Sequence, residues 1–337
     1  MRYLNKEVNF NLSGGFMKLG IDIGFNSVKV AGPGGIEIKF PTAVAVYNKP
    51  QIEIGTSKKR PSFYNGKFYL IGEDAIGEAG IKYSLEIDFL IEYAPLFIHK
   101  AIEKAERLTG ETVDSISLGL PIAYYRPRMF DLWRKVEGFV VDGRVYKFHS
   151  EINGEKIRAV HPQGGGILID YIVKNNVDMA GAKDKGFVLD IGFNTVIVIA
   201  FGEKYTGVPE NSKQYSQLGI SRVINDLEQK IAINYGIDDK TKIEVAQILI
   251  AKQVKNYGKI INLESMINEV VENYIDNIML RIQSDYEKKF REIDKLIIAG
   301  GGAYYIKNSS RLFEKYKDII VVIERPEFSN ARGFYYI

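Results

Sequence analysis

The pentapeptide Asp22-Ile23-Gly24-Phe25-Asn26 occurs a second time, 168 positions later, as Asp190-Ile191-Gly192-Phe193-Asn194. Each copy is followed by a hydroxyl residue and a valine, Ser27-Val28 and Thr195-Val196, and each is flanked by apolar, strand-like segments. An aspartate at the end of a strand projects its carboxylate into the gap between the halves. A glycine two residues on permits a tight turn whose backbone N–H groups can approach a phosphate closely. The Ser27 or Thr195 hydroxyl adds a neutral donor. Two such turns facing each other would grip a phosphate chain from both sides, and Asp22 and Asp190 would hold a Mg²⁺ ion, directly or through water. Lys29 has no counterpart in the second copy, where Ile197 stands, so one cation on one side could neutralise the phosphate tail. A single Asp-x-Gly is ordinary turn chemistry. Two copies with matching flanks, about half a chain apart, point to a duplicated supersecondary unit.

Other segments are less specific. Gly300-Gly301-Gly302 follows an apolar strand and precedes Ala303, and it could let the backbone pass close to a purine or an α-phosphate. It is not a dinucleotide fingerprint, because Tyr305 stands where the third spaced glycine would fall. The chain contains no Walker A pattern. Gln163, between Pro162 and Gly164-Gly165-Gly166, could orient a water for attack on a γ-phosphate, though alone it reads more simply as a polar loop residue. His99, His149 and His161 lack metal-ligand spacing and read as structural. The 21 tyrosines are dispersed and suit packing rather than base stacking.

Composition bounds the rest. With 337 residues, 46% of them hydrophobic, the chain can build two domains of ordinary size. A net charge of +3 is too balanced to imply direct nucleic-acid binding. The absence of cysteine excludes disulfides, thiolate catalysis and Cys-ligated zinc, and it is compatible with a cytoplasmic protein. No apolar run is long enough to span a bilayer, and the first sixteen residues carry no signal-peptide core. They are expected to form a disordered extension without a role.

The elements that must position these residues alternate. Residues 18–31 and 186–202 read as strand pairs, and 41–71 as a small irregular unit with short strands. Helices are expected over 93–108, 167–174, 217–234, 242–256 and 263–290, and strands over 115–120, 296–299 and 319–323. Asp142-Gly143 and Asn153-Gly154 signal two hairpins. The class is α/β.

Five segments, in order, resemble motifs of the actin-like (actin/hexokinase/DnaK-type) ATPase superfamily. DIGFNSVKVA (22–31) and LDIGFNTVIVIA (189–200) resemble its two phosphate loops. HPQGGG (161–166) and PEFSNARGFYYI (326–337) resemble its connecting segments, and LIIAGGGAYYI (296–306) its adenosine motif. The Pro-Gln-Gly hinge, the Phe-x-Asn-Ala-x-Gly ending and Gln217-Leu218-Gly219-Ile220-Ser221 resemble the ParM-like plasmid-segregation actins and their archaeal relatives. Bulky Phe193 and Asn194 depart from the smaller residues of many relatives.

The resemblance implies a two-domain actin-like α/β fold, each domain with a central mixed sheet and flanking helices, and a nucleotide cleft between them. Domain I would span 17–163, with 41–74 as its subdomain, and be completed by 320–337. Domain II would span 164–319, with about 206–289 as its subdomain. Carried over, Asp22 would sit near Mg²⁺ and the β/γ-phosphates, with Gly24, Phe25, Asn26, Ser27 and Lys29 around them. Asp190 would hold the metal's water shell or polarise the attacking water, with Gly192, Phe193, Asn194 and Thr195 opposite. Gln163 would position that water. Gly300, Gly301, Gly302 and Ala303 would pass along the adenosine, and Glu228 and Gln229 would reach the ribose. The implied activity is ATP hydrolysis to ADP coupled to filament formation, for plasmid or DNA segregation or another cytoskeletal role. The implied partners are copies of the chain itself and a DNA-binding adaptor, with no membrane contact. A non-polymerising regulatory ATPase and a small-molecule kinase are the alternatives.

Overall fold

A computed structural model of the chain describes residues 16–48, 59–78, 80–148, 151–152, 155–156, 159–307 and 309–337. In chain order the first half contains β1 (Phe16–Ile23), β2 (Ser27–Ala31), β3 (Glu37–Pro41), β4 (Val44–Val46), β5 (Ser62–Tyr64), β6 (Lys67–Ile71) and α1 (Ile87–Thr109). It continues with β7 (Thr112–Leu120), α2 (Ile122–Val136), β8 (Gly138–Val141), β9 (Arg144–Lys147), β10 (Glu151–Ile152), β11 (Glu155–Lys156) and β12 (Val160–Pro162). The second half opens with α3 (Gly165–Lys174), β13 (Gly186–Ile191), β14 (Thr195–Gly202), β15 (Thr206–Ser216), α4 (Ser221–Tyr235), α5 (Lys242–Ala251), β16 (Gln253–Asn256) and β17 (Lys259–Asn262). It closes with α6 (Glu264–Phe290), β18 (Lys295–Ala299), α7 (Ala303–Ile306), α8 (Ser310–Tyr316), β19 (Ile320–Val322) and α9 (Ser329–Tyr336).

Two five-stranded sheets form the frame, and they have the same topology. One runs β3-β2-β1-β7-β12 and the other β15-β14-β13-β18-β19. In both, the strand carrying the repeated aspartate is central, antiparallel to the strand after it and parallel to the strand beyond. β13 is buried along its whole length, as a Val/Leu/Ile-rich strand covered on both faces must be.

The halves meet through two helices. α9 lies on β1, β2 and β7, α3 lies on the second sheet, and α3 and α9 pack against each other. Their approach is backbone to backbone. A Cβ on Gly333 would collide with the Gly166 carbonyl, and one on Gly166 with the Asn330 backbone. A buried ionic cluster locks this crossing. Asp170 of α3 accepts from Ser329 Oγ at 2.6 Å and from Arg332 Nε and Nη2 at 2.8 and 2.6 Å. Arg332 also donates to Glu37 of β3 at 2.7 Å.

Several expectations change. Phe16, assigned to the extension, opens β1; the disorder expected before it and the Asn153-Gly154 turn lie outside the described residues. Helix α1 begins at Ile87 and carries Pro95 inside it, and α2, which contains Pro127, was not anticipated. The helix expected over 242–256 stops at Ala251, where Lys252 turns left-handed (φ 55°), and Gln253–Asn256 pairs with β17 instead. α4 begins at Ser221 rather than 217, because Gln217 has φ 59°. Residues 320–322, expected to complete domain I, form β19 of the second sheet, and only the segment after it returns to the first.

Candidate functional site: paired turns between two sheets

The two repeats fold alike. The Gly24 N–H donates to Ser27 O at 3.2 Å, and the Gly192 N–H to Thr195 O at 2.9 Å. The first turn is pinned by Thr42, whose hydroxyl donates to Gly24 O at 2.6 Å and whose N–H donates to Asn26 O at 3.1 Å. The second is held by the start of α4: the Ile220 N–H donates to Gly192 O at 3.1 Å and the Ser221 N–H to Phe193 O at 2.8 Å.

Asp22 and Asp190 end their strands and are 4% and 7% exposed, so each needs partners. Gln163 Nε2 donates to Asp22 Oδ1 at 2.6 Å, and Lys29 Nζ lies 3.7 Å from Asp22 Oδ2. Asn330 Nδ2 donates to Asp190 Oδ2 at 2.7 Å, while Asn330 Oδ1 accepts from the Gly164 N–H at 2.8 Å. Burial pushes the Asp190 carboxyl up to about 6; the facing Asp22 charge adds to the rise, and Asn330 and Lys29 oppose it. Gly300, at φ 81°, passes so close that a Cβ there would meet Asp190 Oδ1 and the Ile191 carbonyl.

A cavity of about 1020 Å³ opens on both turns, bordered by Phe25, Asn26, Ser27, Phe193 and Asn194, and across it by Ser221, Arg222, Asn225 and Gln229 of α4. A second, of about 800 Å³, lies against Gly301, between Leu249 and Ile250 of α5, Val271 of α6, and Tyr304 and Tyr305. Lys39 of β3 borders both.

The structure thus brings together Asp22, Gln163 and Lys29, sets Asp190 under Gly300, and puts the tips of both turns in one cavity. Thr195 starts β14 and is buried; Gly302 donates to Ile191 O at 2.8 Å, and Ala303 starts α7 in the core. Gln229 borders the first cavity directly; Glu228, about 100° round the helix, is paired with Lys242, which lines that cavity. Asn330, Thr42 and Lys39 were missed as individual residues. Of these, only Asn330 lay in a segment marked by its motif.

Both halves match known families. Residues 20–166 match the model for the N-terminal domain of actin-like proteins, and residues 188–311 that for the C-terminal part of the archaeal MreB-like actin homologue. The chain is related to the actin-like ATPase superfamily. An archaeal actin homolog from Thermoplasma volcanium is 22% identical over 329 residues, which cover 94% of this chain and 97% of that one. The actin-like fold is equally plain in three dimensions. The crystal structure of an archaeal actin homolog in complex with ADP superposes with a TM-score of 0.75 at 22% identity, covering 95% of this chain and 98% of the other. A 15-stranded ParM filament from Clostridium botulinum gives 0.72 at 17% identity, over 96% and 99%.

Among the described residues no three metal-ligating side chains come together. The actin-like site therefore offers a divalent cation two buried carboxylates and no cage. That suits Mg²⁺, which keeps most of its waters and takes its remaining ligands from one or two carboxylates and substrate phosphates. No helix among the described residues is long and apolar enough to cross a membrane.

Proposed function

We propose that this actin-like chain binds ATP between its two sheets, hydrolyses it, and assembles with copies of itself into filaments. The observation that carries the reading is the duplicated turn. Two identical Asp-x-Gly turns, on equivalent strands of equivalent sheets, open on one cavity with their buried carboxylates opposed. The base and sugar would occupy the cavity against Gly301, and the phosphates would run past Lys39 to the turns. Mg²⁺ would offset phosphate charge beside Asp22 and Asp190. Gln163 donates its amide to Asp22 and leaves its carbonyl oxygen able to accept from a water. Asp190, with its carboxyl near 6, is suited to take that water's proton at neutral pH. Self-assembly is supported by the filament-forming ParM neighbour, and nucleotide binding by the homolog solved with ADP. A role in moving DNA through an adaptor, in the cytoplasm, extends the same reading.

Sedimentation with Mg²⁺-ATP, Mg²⁺-ADP and no nucleotide, with phosphate release followed in parallel, tests it. Nucleotide-dependent pelleting together with phosphate release is expected. Phosphate release without pelleting at any concentration removes the filament, and no turnover removes the ATPase.

The 1020 Å³ cavity favours one second reading, phosphoryl transfer to a small acceptor lodged beyond the turns. In that case ADP would form without phosphate release, and only when an acceptor is supplied.

A further inference from the structure

Lys39 belongs to neither repeated turn, yet it lines both cavities. It pairs across the sheet with Lys29, in register between β2 and β3. Two lysines side by side on one sheet face repel each other, and such a pair is disfavoured unless an anion is shared or each has its own. Lys29 is engaged with Asp22 at 3.7 Å. The anion beside Lys39 is Glu327, at 3.8 Å, in the short turn of 326–328 that leads into α9. Glu327 has a second partner, the Tyr304 hydroxyl, which donates to it at 2.6 Å. Glu37, two residues from Lys39 on the same face, is taken by Arg325 and Arg332. Among the described residues Lys39 therefore holds only this pair, as long as that of Lys29 but half-exposed, to an acid that stays hydrogen-bonded when the lysine leaves.

We propose that Lys39 is a polyphosphate-binding residue, which exchanges Glu327 for the phosphates of a nucleotide passing from the Gly301 cavity to the paired turns. The inference rests on the nucleotide reading above and adds to it a specificity residue outside both turns. Lys39 lies midway, so it meets the phosphates nearest the sugar, while Lys29 meets those between the turns. It discriminates adenosine from its phosphorylated forms. Burial lowers the Lys39 ammonium from its ordinary range and Lys29 adds to that, while Glu327 opposes it, as expected of a cation lacking a full-strength counter-ion.

The test uses the full chain as wild type, Lys39→Met, Lys39→Arg and Glu327→Gln, titrated with ADP and with adenosine by calorimetry, each variant first checked by circular dichroism. Lys39→Met is expected to weaken ADP about tenfold and leave adenosine within about twofold, the size of one charge-assisted contact. Lys39→Arg restores most of the loss. Glu327→Gln tightens ADP, since it frees the lysine. Lys39→Met binding ADP like the wild type, or losing ADP and adenosine equally, overturns the proposal while leaving the nucleotide site standing. A wild type that binds neither ligand overturns both. If Lys39→Met does not fold, Glu327→Gln alone decides: unchanged or weaker ADP binding refutes the exchange.

Discussion

The sharpest consequence of the site concerns Asp190, because its burial makes opposite demands on stability and activity. Its carboxyl is raised from 3.8 to about 6 by desolvation and by Asp22. At about 1.4 kcal/mol per unit, keeping it ionised costs the ligand-free fold about 3 kcal/mol. The folded chain holds the Asp190 proton more tightly than the unfolded chain does. Its contribution is therefore fully favourable below about pH 4, declines as the pH rises, and is lost above about pH 6. Asp190→Asn removes the charge, keeps the shape, and can accept from Asn330 through its amide oxygen. The variant is expected to be more stable than the wild type at pH 7.5 by up to about 3 kcal/mol, or about 6 °C in Tm at about 2 °C per kcal/mol for a chain this long. That gap should shrink to about 1 kcal/mol by pH 4.5 and close below about pH 4. Phosphate release should meanwhile fall at least about a hundredfold, since the proton acceptor is gone. The assay is a set of thermal melts of both proteins, free of nucleotide, across that pH range, with turnover at pH 7.5. Titrating groups other than Asp22, which is coupled to Asp190, are common to both proteins and cancel in the difference. A variant less stable than the wild type at pH 7.5, or a gap that does not vary with pH, would refute the account of Asp190 as a desolvated, repelled carboxylate.

Three further outcomes follow from the same geometry. Gln163→Leu removes both the donor to Asp22 and the carbonyl proposed to hold the attacking water, so phosphate release should drop about a hundredfold while ADP affinity, read by calorimetry, stays within a few-fold. Asp170→Asn removes one of the two buried carboxylates that hold Arg332 and should cost about 3 kcal/mol in urea unfolding. His161 packs against Phe334, and burial, with help from Lys18, lowers it to about 4 from 6.5. The folded chain then binds its proton less tightly than the unfolded chain, so stability falls as the pH drops from 6.5 toward 4. His161→Leu should remove about 2 kcal/mol of that acid sensitivity in urea titrations run at pH 7 and pH 4.5.

The repeat was legible because its chemistry is local. A carboxylate, a turn and a hydroxyl within six residues leave a pattern that needs no tertiary knowledge, and the structure folds both copies into the same turn. Elements whose cause is tertiary were not legible. α2 carries Pro127 and buries fully only Leu132 and Val136, so it has neither a clean apolar stripe nor an uninterrupted run of helix formers. β15 is a polar edge strand with Pro209 in it; such a strand exists because β14 needs a partner, not because its own residues prefer one. The β16–β17 hairpin turns on Tyr257-Gly258, both at positive φ, a signal weaker than Asn-Gly. Glu228 and Gln229 are equally plausible in sequence, and only the rotation of α4 separates them.

What joins the two halves of the site is least visible of all, because its residues lie far apart in the chain. Asp22 accepts from Gln163; the next residue, Gly164, donates its N–H to Asn330; Asn330 donates to Asp190. The two carboxylates are thus the ends of one hydrogen-bonded bridge, built from the residues that open α3 and α9. Gly166 and Gly333 let those helices touch at backbone distance, and Asp170 and Arg332 fix the crossing with a buried ion pair. The spacing of the paired turns is therefore set by the α3–α9 contact rather than by either sheet. On the proposed reading, a ligand that drew Asp22 and Asp190 toward a shared cation would stretch or re-form this bridge, and the strain would fall on the helix crossing between the sheets. On the proposed reading, an element that turned phosphate occupancy into a change of angle between the halves would lie behind the carboxylates themselves, in residues that carry no phosphate chemistry of their own.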